Sequence, residues 1–329
     1  MKIETIVLNE ARNVTLTVYL QECSTETRVP KVRPGMLVLP GGGYQYCSDR
    51  EADPVAQAYL NAGYHAFILR YSAKEHGVWP NPLEDYEQAI TYIRDHAEAW
   101  GLLPDKIAVI GFSAGGHLAA CAATMAKNKP NAAILGYAVC GSDVKGCNPT
   151  APDAIAAVDH TTCPCFLMHT RNDNIVPIDN SLRFQLELAK HDVAFESHIY
   201  AYGPHGFSTC DTSIQSLDEL CDRAPNWVSD SIRWLRDIFG PLTPTGMGDP
   251  TCPLRMSGNY EPNLSIACTV SHLLQHEAGK KVVLAALPNL PQDNPMYGKL
   301  RLQDLLHYAQ MPADLVKQLD DTLQKIPNL

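Results

Sequence analysis

Six apolar runs, GMLVLP (35–40), HAFILRY (65–71), KIAVIGF (106–112), AAILGYAV (132–139), PCFLMHT (164–170) and AFESHIYAY (194–202), are separated by segments with helical periodicity. Several of the runs are apolar on successive rather than alternate residues. That is the pattern of strands covered on both faces, and it calls for a parallel sheet packed between helices. The helices come from DPVAQAYLNAGY (53–64), LEDYEQAITYIRDHAEAW (83–100), the Ala-rich stretch opening at Ser113, SLRFQLELAKH (181–191) and NWVSDSIRWLRDIFG (226–240). Strand then helix, repeated, predicts an α/β fold with right-handed crossovers. The first twenty residues alternate and predict an antiparallel hairpin at one edge.

After Gly240 the pattern changes. Residues 241–263, PLTPTGMGDPTCPLRMSGNYEPN, are rich in Pro, Gly, Thr and Asn and read as a linker or strap. Beyond them, apolar residues recur at helical spacing: Val270, Leu273 and Leu274; Val282, Val283 and Leu287; Leu302, Leu305 and Leu306; Leu315, Leu319 and Leu323. The expected organisation is an α/β domain over 1–240, a strap over 241–263 and a small helical module over 264–329.

Composition narrows the partners. The net charge of −10 and the absence of any long Lys/Arg run argue against nucleic acid or anionic lipid as a partner. The N-terminus lacks the apolar block of a signal peptide, and no stretch approaches 18 uninterrupted apolar residues. Eleven cysteines, with no C-x-x-C pair and no His at zinc spacing, fit reduced thiols rather than a disulfide framework or a metal site. The expectation is a cytoplasmic protein with no metal or cofactor. A homo-oligomer is left open.

The strand KIAVIGF runs into the helix through Gly111-Phe112-Ser113-Ala114-Gly115, a G-x-S-x-G pattern in the strand–turn–helix context that gives it meaning. A sharp turn there strains the serine and brings neighbouring chains against the flanking positions, where only glycine fits. It lifts the serine hydroxyl above the sheet edge, in front of the free amides of a helix N-terminus.

Two further groups follow at later strand exits. Asp173 lies in RNDNIVP after PCFLMHT, and His205 in GPHGF after the strand ending near Tyr202. In a parallel sheet these exits share one edge, so Ser113, Asp173 and His205 can converge as nucleophile, orienting acid and general base. The loop Pro40-Gly41-Gly42-Gly43-Tyr44 lacks both the G-K-[ST] of a P-loop and a G-x-G-x-x-G. It reads instead as an oxyanion hole, with Gly42 or Gly43 donating alongside Ala114. Tyr44, Trp79 and Phe207 flank these loops as candidates to line a substrate pocket. Asp85, Glu51 and His117 read as structural, and Arg171 either braces its loop or reaches a substrate oxygen.

Together LPGGGY, GYHAFILRYS, IAVIGFSAGGHLAA, FLMHTRNDNIVPIDNSLRF and FESHIYAYGPHGF resemble the bacterial α/β-hydrolase esterases, in the branch of acetyl esterases and xylan-debranching esterases. The resemblance spans roughly residues 35–210. It implies an α/β-hydrolase fold and a serine carboxylesterase, often one that removes acetyl groups from sugars, with Ser113, Asp173 and His205 at the matching motif positions. Two departures stand out. Pro40 replaces the His of the lipase-type H-G-G-G, and residues 144–160 are shorter than the usual insertion, which implies an open site.

The expected substrate is a small-molecule or oligosaccharide ester, probed by short-chain acetyl esters. A peptidase of the prolyl-oligopeptidase kind shares the corner and the order of the three residues, but the chain has no propeller to gate peptides. A non-catalytic scaffold or sugar-binding protein working through the helical tail is the third reading, against which the complete set of three residues speaks.

Overall fold

A computed structural model of the protein describes residues 1–23, 26, 31–215, 219–292 and 294–328. The chain divides into two compact units, Met1–Leu254 and Arg255–Leu329.

In chain order the first unit contains β1 (Lys2–Asn9), β2 (Val14–Leu20), β3 (Arg33–Leu39), α1 (Asp53–Asn61), β4 (His65–Arg70), α2 (Asn81–Asp95), α3 (Ala97–Trp100), β5 (Leu102–Phe112), α4 (Ser113–Met125), β6 (Ala132–Gly136), β7 (Cys165–Thr170), α5 (Asp179–Lys190), β8 (Phe195–Tyr200) and α6 (Asn226–Phe239). The strands form one sheet in the order β1-β2-β4-β3-β5-β6-β7-β8. β1 and β2 pair antiparallel, as does β2 with β4, and from β4 through β3 to β8 every pairing is parallel. This is the α/β-hydrolase fold.

The period-2 geometry of a strand sends successive side chains to opposite faces, and both faces here are covered. Leu37 and Leu39 of β3 and Val109 of β5 join Tyr86, Ile90 and Ile93 of α2 and Leu118 and Ala122 of α4 in one core. Their neighbours Met36, Val38, Ala108 and Ile110 join Val55 and Tyr59 of α1 and Trp227, Trp234, Leu235 and Ile238 of α6 in the other. Each fully buried Leu, Ile or Val contributes about 1.5–3 kcal/mol relative to exposure. That is why runs apolar on every residue could be read as interior strands.

The parallel pairing aligns the strand ends. Leu39 of β3 pairs with Gly111 of β5, Gly111 with Leu135 of β6, and Thr170 of β7 with Tyr200 of β8. The chain passes from β3 outward to β4 and then crosses back over β3 to β5. The exits of β3 and β5 are therefore neighbours at a topological switch point, where open α/β sheets bind ligands.

Residues 241–254 do not run free. β9 (Leu242–Thr243) and β10 (Gly246–Met247) make a small hairpin, and the amides of Thr251 and Cys252 donate to the carbonyl of Asp237 in α6. The part of the strap up to Leu254 thus belongs to the first unit, because it satisfies backbone groups at the end of α6.

The second unit contains α7 (Val270–Gln275), α8 (Glu277–Ala286), α9 (Pro295–Lys299), α10 (Leu302–Tyr308) and α11 (Ala313–Leu323). The Thr269 side chain caps α7 by accepting from the amide of His272, and Asn294 caps α9 by accepting from those of Met296 and Tyr297. Leu264, Val270, Leu273, Val283, Leu302, Leu306, Leu319 and Leu323 form its core. Leu315 is exposed although it shares the four-residue spacing of Leu319 and Leu323. Each four-residue step advances about 40° around an α-helix, and by Leu315 the stripe has left the buried side.

Among the described residues no helix is long and apolar enough to cross a membrane. No disulfide forms among them, and no three His, Cys, Asp or Glu side chains cluster to hold a metal ion.

Candidate active site

The corner between β5 and α4 is built as tightly as its glycines suggest. Ser113 has φ of 52°, a left-handed conformation that costs a non-glycine residue about 1–3 kcal/mol. A Cβ on Gly111 would lie 2.1 Å from the carbonyl oxygen of Gly115, and a Cβ on Gly115 would lie 2.2 Å from that of Leu39 and 2.4 Å from that of Pro40. These neighbours are backbone and cannot swing aside. Gly115→Ala is therefore expected to destabilise the protein by about 3 kcal/mol, the upper end for overpacking, read as a lower urea midpoint. An unchanged midpoint would mean that the corner is looser than described.

Three strand exits converge on Ser113. Its hydroxyl donates to Nε2 of His205 at 2.9 Å, and Nδ1–H of His205 donates to Oδ2 of Asp173 at 2.8 Å. Ser113 and His205 keep some exposure, whereas the Asp173 side chain is fully buried. The structure brings together the three residues that the motif spacing nominated.

Asp173 is held by more than His205. Its Oδ1 accepts from the amides of Ile175 and Val176, each at 2.9 Å. Nε2 of the buried His169 bonds the carbonyl of Val176 at 3.1 Å and lies 3.2 Å from Oδ2, while Nδ1 of His169 bonds the Ser181 hydroxyl at 2.8 Å. Burial works against ionisation of Asp173, but the hydrogen bonds from His169 and His205, the charge of His205 and the loop amides outweigh it and hold the carboxyl below the usual range. Asp173 therefore stays an anion that accepts from Nδ1–H, fixing the imidazole with its free lone pair on Nε2 toward Ser113.

Asn172 and Asn174, which flank the acid, tie the two loops together. Oδ1 of Asn172 accepts from the amide of Gly203 at 2.9 Å, and Oδ1 of Asn174 from that of His205 at 3.2 Å. Their turn-forming character concealed this role in the sequence. His169 was missed too, although a histidine inside the buried strand PCFLMHT was itself a signal, since a buried imidazole needs partners at both nitrogens. Arg171 donates through Nε to the carbonyl of Ala201 at 3.3 Å, bracing the exit of β8.

The glycine loop follows β3. A trans peptide places its C=O and N–H on opposite sides, so the carbonyl partners fix where the amides point. The carbonyl of Gly41 accepts from Ser48 and that of Gly42 from Gln45, both at 2.9 Å and both on the protein side. The amides of Gly42 and Gly43 are thereby turned the other way, and among the described residues neither has a protein acceptor. Gly42 adopts φ of 129°, and a Cβ there would lie 2.1 Å from the carbonyl oxygen of Tyr46, whereas a Cβ on Gly43, at φ of 61°, would enter open space. Gly41 lies against the nucleophile: its Cβ would sit 3.1 Å from that of Ser113. Ala114, in the first turn of α4, has no helical acceptor for its amide. This is a donor set suited to a developing oxyanion beside Ser113.

The three pocket candidates separate. Phe207 is fully buried and packs edge-on against Tyr137 at 4.7 Å between centroids. Tyr44 is buried as well, with its hydroxyl 2.6 Å from Nδ1 of His117. Both are corrected to packing residues: each ring is turned into the core and is closed off from solvent. Trp79 alone keeps partial exposure, stacked edge-on against His117 at 5.6 Å.

His117 bonds the carbonyl of Pro152 through Nε2 at 2.8 Å, so it joins the glycine loop to the segment 144–160. Burial pushes its pKa down to about 4, against which the Pro152 carbonyl acts only partly. It is a neutral linker and not a second base. Asp85 is a structural ion pair with Arg12 and accepts from the amide of Ser72.

The chain is similar to several known proteins. A family model described as BD-FAE matches residues 25–137. Over 213 residues the chain is 29% identical to an acetylxylan esterase of Xylanibacter ruminicola, a match covering 58% of this chain and 44% of that protein. The chain spans less than half the length of the curated relatives it matches. Among solved structures, an acetyl ester-xyloside bifunctional hydrolase from Caldicellulosiruptor lactoaceticus superposes with a TM-score of 0.63 at 28% identity, covering 71% of this chain and 96% of that one. An α/β-hydrolase enzyme from a Medee basin deep-sea metagenome library superposes with a TM-score of 0.68 at 45% identity, covering 72% of this chain and 98% of that one. With the sheet order, the glycine corner and the converging strand exits, these likenesses identify the chain as a member of the α/β-hydrolase family.

Proposed function

We propose that the protein is a serine carboxylesterase that hydrolyses short-chain esters, acetyl above all, carried by sugars or oligosaccharides. The observation that carries the reading is the hydrogen-bonded relay from Ser113 through His205 to Asp173, set beside outward-facing glycine amides. In the first step the Ser113 hydroxyl loses its proton to Nε2 of His205 and attacks the ester carbonyl carbon, and the amides of Gly42, Gly43 and Ala114 take up the charge forming on oxygen. The imidazolium then protonates the departing alkoxide, which leaves as the alcohol. In the second step a water gives its proton to His205 and attacks the acyl-enzyme, releasing the acid and restoring Ser113.

The sugar-ester part rests on what the relatives are called: an acetylxylan esterase and an acetyl ester-xyloside hydrolase. We also propose a cytoplasmic location, on the ground of eleven cysteines without a disulfide among the described residues.

A panel of acetylated mono- and oligosaccharides, assayed for acetate release beside aminoacyl and peptidyl amides, tests the reading. Turnover of the acetylated sugars at least tenfold above the amides is expected. Preference for the amides would move the protein to the peptidase reading.

A further inference from the structure

One buried carboxylate lies behind the glycine loop with no part in the relay. Glu51 is 2% exposed. Its Oε2 accepts from the amide of Gly41 at 2.7 Å, and its Oε1 accepts from the hydroxyl of Tyr137 at 2.7 Å. Tyr137, at the exit of β6 and fully buried, accepts through the same hydroxyl oxygen from the amide of Ser208 at 3.1 Å, and its ring packs edge-on against the His205 imidazole at 4.9 Å. Ser208 donates from its hydroxyl to the carbonyl of Arg50 at 2.6 Å, and its own carbonyl accepts from Nε1 of Trp227 at 2.8 Å. A chain of charge-assisted and neutral hydrogen bonds thus runs from the loop after β3, through Glu51 and Tyr137, to the loop that carries His205.

Resting on the esterase reading above, we infer that Glu51 is a positioning residue: it anchors the Gly41 amide so that those of Gly42 and Gly43 face the reacting oxygen, and through Tyr137 it braces the His205 loop. Several observations converge on this role. Gly41 is the peptide immediately before the proposed donors, and a Cβ on it would lie 2.6 Å from Oε2 of Glu51, so the carboxylate and the glycine backbone are in direct contact. An ionised acceptor makes roughly twice as strong a hydrogen bond as a neutral one, which suits a loop whose two glycines give it no rigidity of their own. Burial, followed by the charge of Glu51, pushes the Tyr137 phenol upward, so it remains a donor to the carboxylate.

Two effects of the carboxylate oppose each other. Held in place, it aims the loop. As a negative charge behind the oxyanion it would slow the reaction, although the Gly41 amide stands between, and Nε of Arg50 lies 3.9 Å from Oε1. Removing the charge while keeping the shape decides which effect dominates. In Glu51→Gln the side-chain amide can accept at only one end, and its amino group faces either the Gly41 N–H or the Tyr137 hydroxyl.

The test uses the full chain, with p-nitrophenyl acetate as substrate and a trifluoromethyl ketone as the probe that forms a hemiketal oxyanion on Ser113. Glu51→Gln is expected to lower kcat by about 10²-fold, the cost of one oxyanion donor, with KM within about twofold. The Ki of the ketone should rise in proportion to the loss of kcat/KM. Tyr137→Phe, which keeps the ring against His205 and removes only the hydroxyl, is expected to lower kcat about tenfold, and to lower the melting temperature by several degrees because Oε1 of Glu51 and the amide of Ser208 lose their partner. It serves as the second variant should Glu51→Gln fail to fold. A rise in kcat in Glu51→Gln, or wild-type kcat and ketone affinity in Tyr137→Phe, overturns the inference. Ser113→Ala run in parallel separates the two claims: if it is inactive while both other variants match wild type, only the positioning role falls, and if it is active the esterase reading falls as well.

Discussion

Ser113→Ala is expected to lower turnover of p-nitrophenyl acetate by at least about 10⁴-fold, while the urea midpoint stays close to that of the wild type. The size of the effect follows from the chemistry. Without the hydroxyl no acyl-enzyme forms, and what remains is the residual catalysis of a binding site with oxyanion donors. The stability expectation follows from the backbone. Alanine keeps the left-handed strain at φ of 52°, and the substitution removes the part-buried hydrogen bond from the hydroxyl to His205 without opening a cavity in the core. Turnover within tenfold of wild type would place the nucleophile elsewhere.

The second large effect is expected at the acid. Asp173→Asn should reduce kcat by about 10⁴-fold, because an amide in this position no longer enforces the tautomer that leaves Nε2 free to accept the Ser113 proton. It also can leave a donor facing His205, which donates to the carboxylate now. The stability consequence has a definite sign. The folded-state pKa of Asp173 is depressed, so its ionisation stabilises the fold above the unfolded carboxylate value of about 3.9, and this contribution is lost as pH falls through the folded value. The difference in unfolding free energy between wild type and Asp173→Asn should therefore be full at pH 7 and shrink below about pH 4. A difference that is constant from pH 7 to 3 would mean that Asp173 is not the buried anion described.

The parts of this molecule that were legible in the sequence are those whose physics is local or periodic. Runs such as KIAVIGF declared interior strands because every residue must be apolar when both faces are covered. G-x-S-x-G declared a corner because Gly111 and Gly115 meet backbone atoms within a few residues of themselves or on the adjacent strand. Asp173 and His205 followed from the rule that parallel strands exit at one edge. The parts that stayed hidden depend on long-range pairing. Glu51 reads in DREADPVA as an ordinary acid ahead of a helix, and only its meeting with Gly41 and with Tyr137, 86 residues away, gives it a role. Asn172 and Asn174 have turn chemistry in any loop, and their use as acceptors for the His205 loop appears only in three dimensions. Tyr44 and Phe207 were assigned to a pocket by proximity along the chain, which cannot say whether a ring faces outward or inward. The strap over 241–263 looked uniform in composition, yet its first part docks on α6 because the carbonyl of Asp237 needed donors.

Catalysis of the kind proposed requires Ser113 to be a nucleophile activated by His205. The most direct measurement is intact-protein and peptide mass spectrometry after brief treatment with a fluorophosphonate. One adduct per chain is expected, located on Ser113, absent from Ser113→Ala and formed far more slowly by a His205→Ala variant. An adduct on another residue, or none on wild-type protein that hydrolyses p-nitrophenyl acetate, would contradict that role.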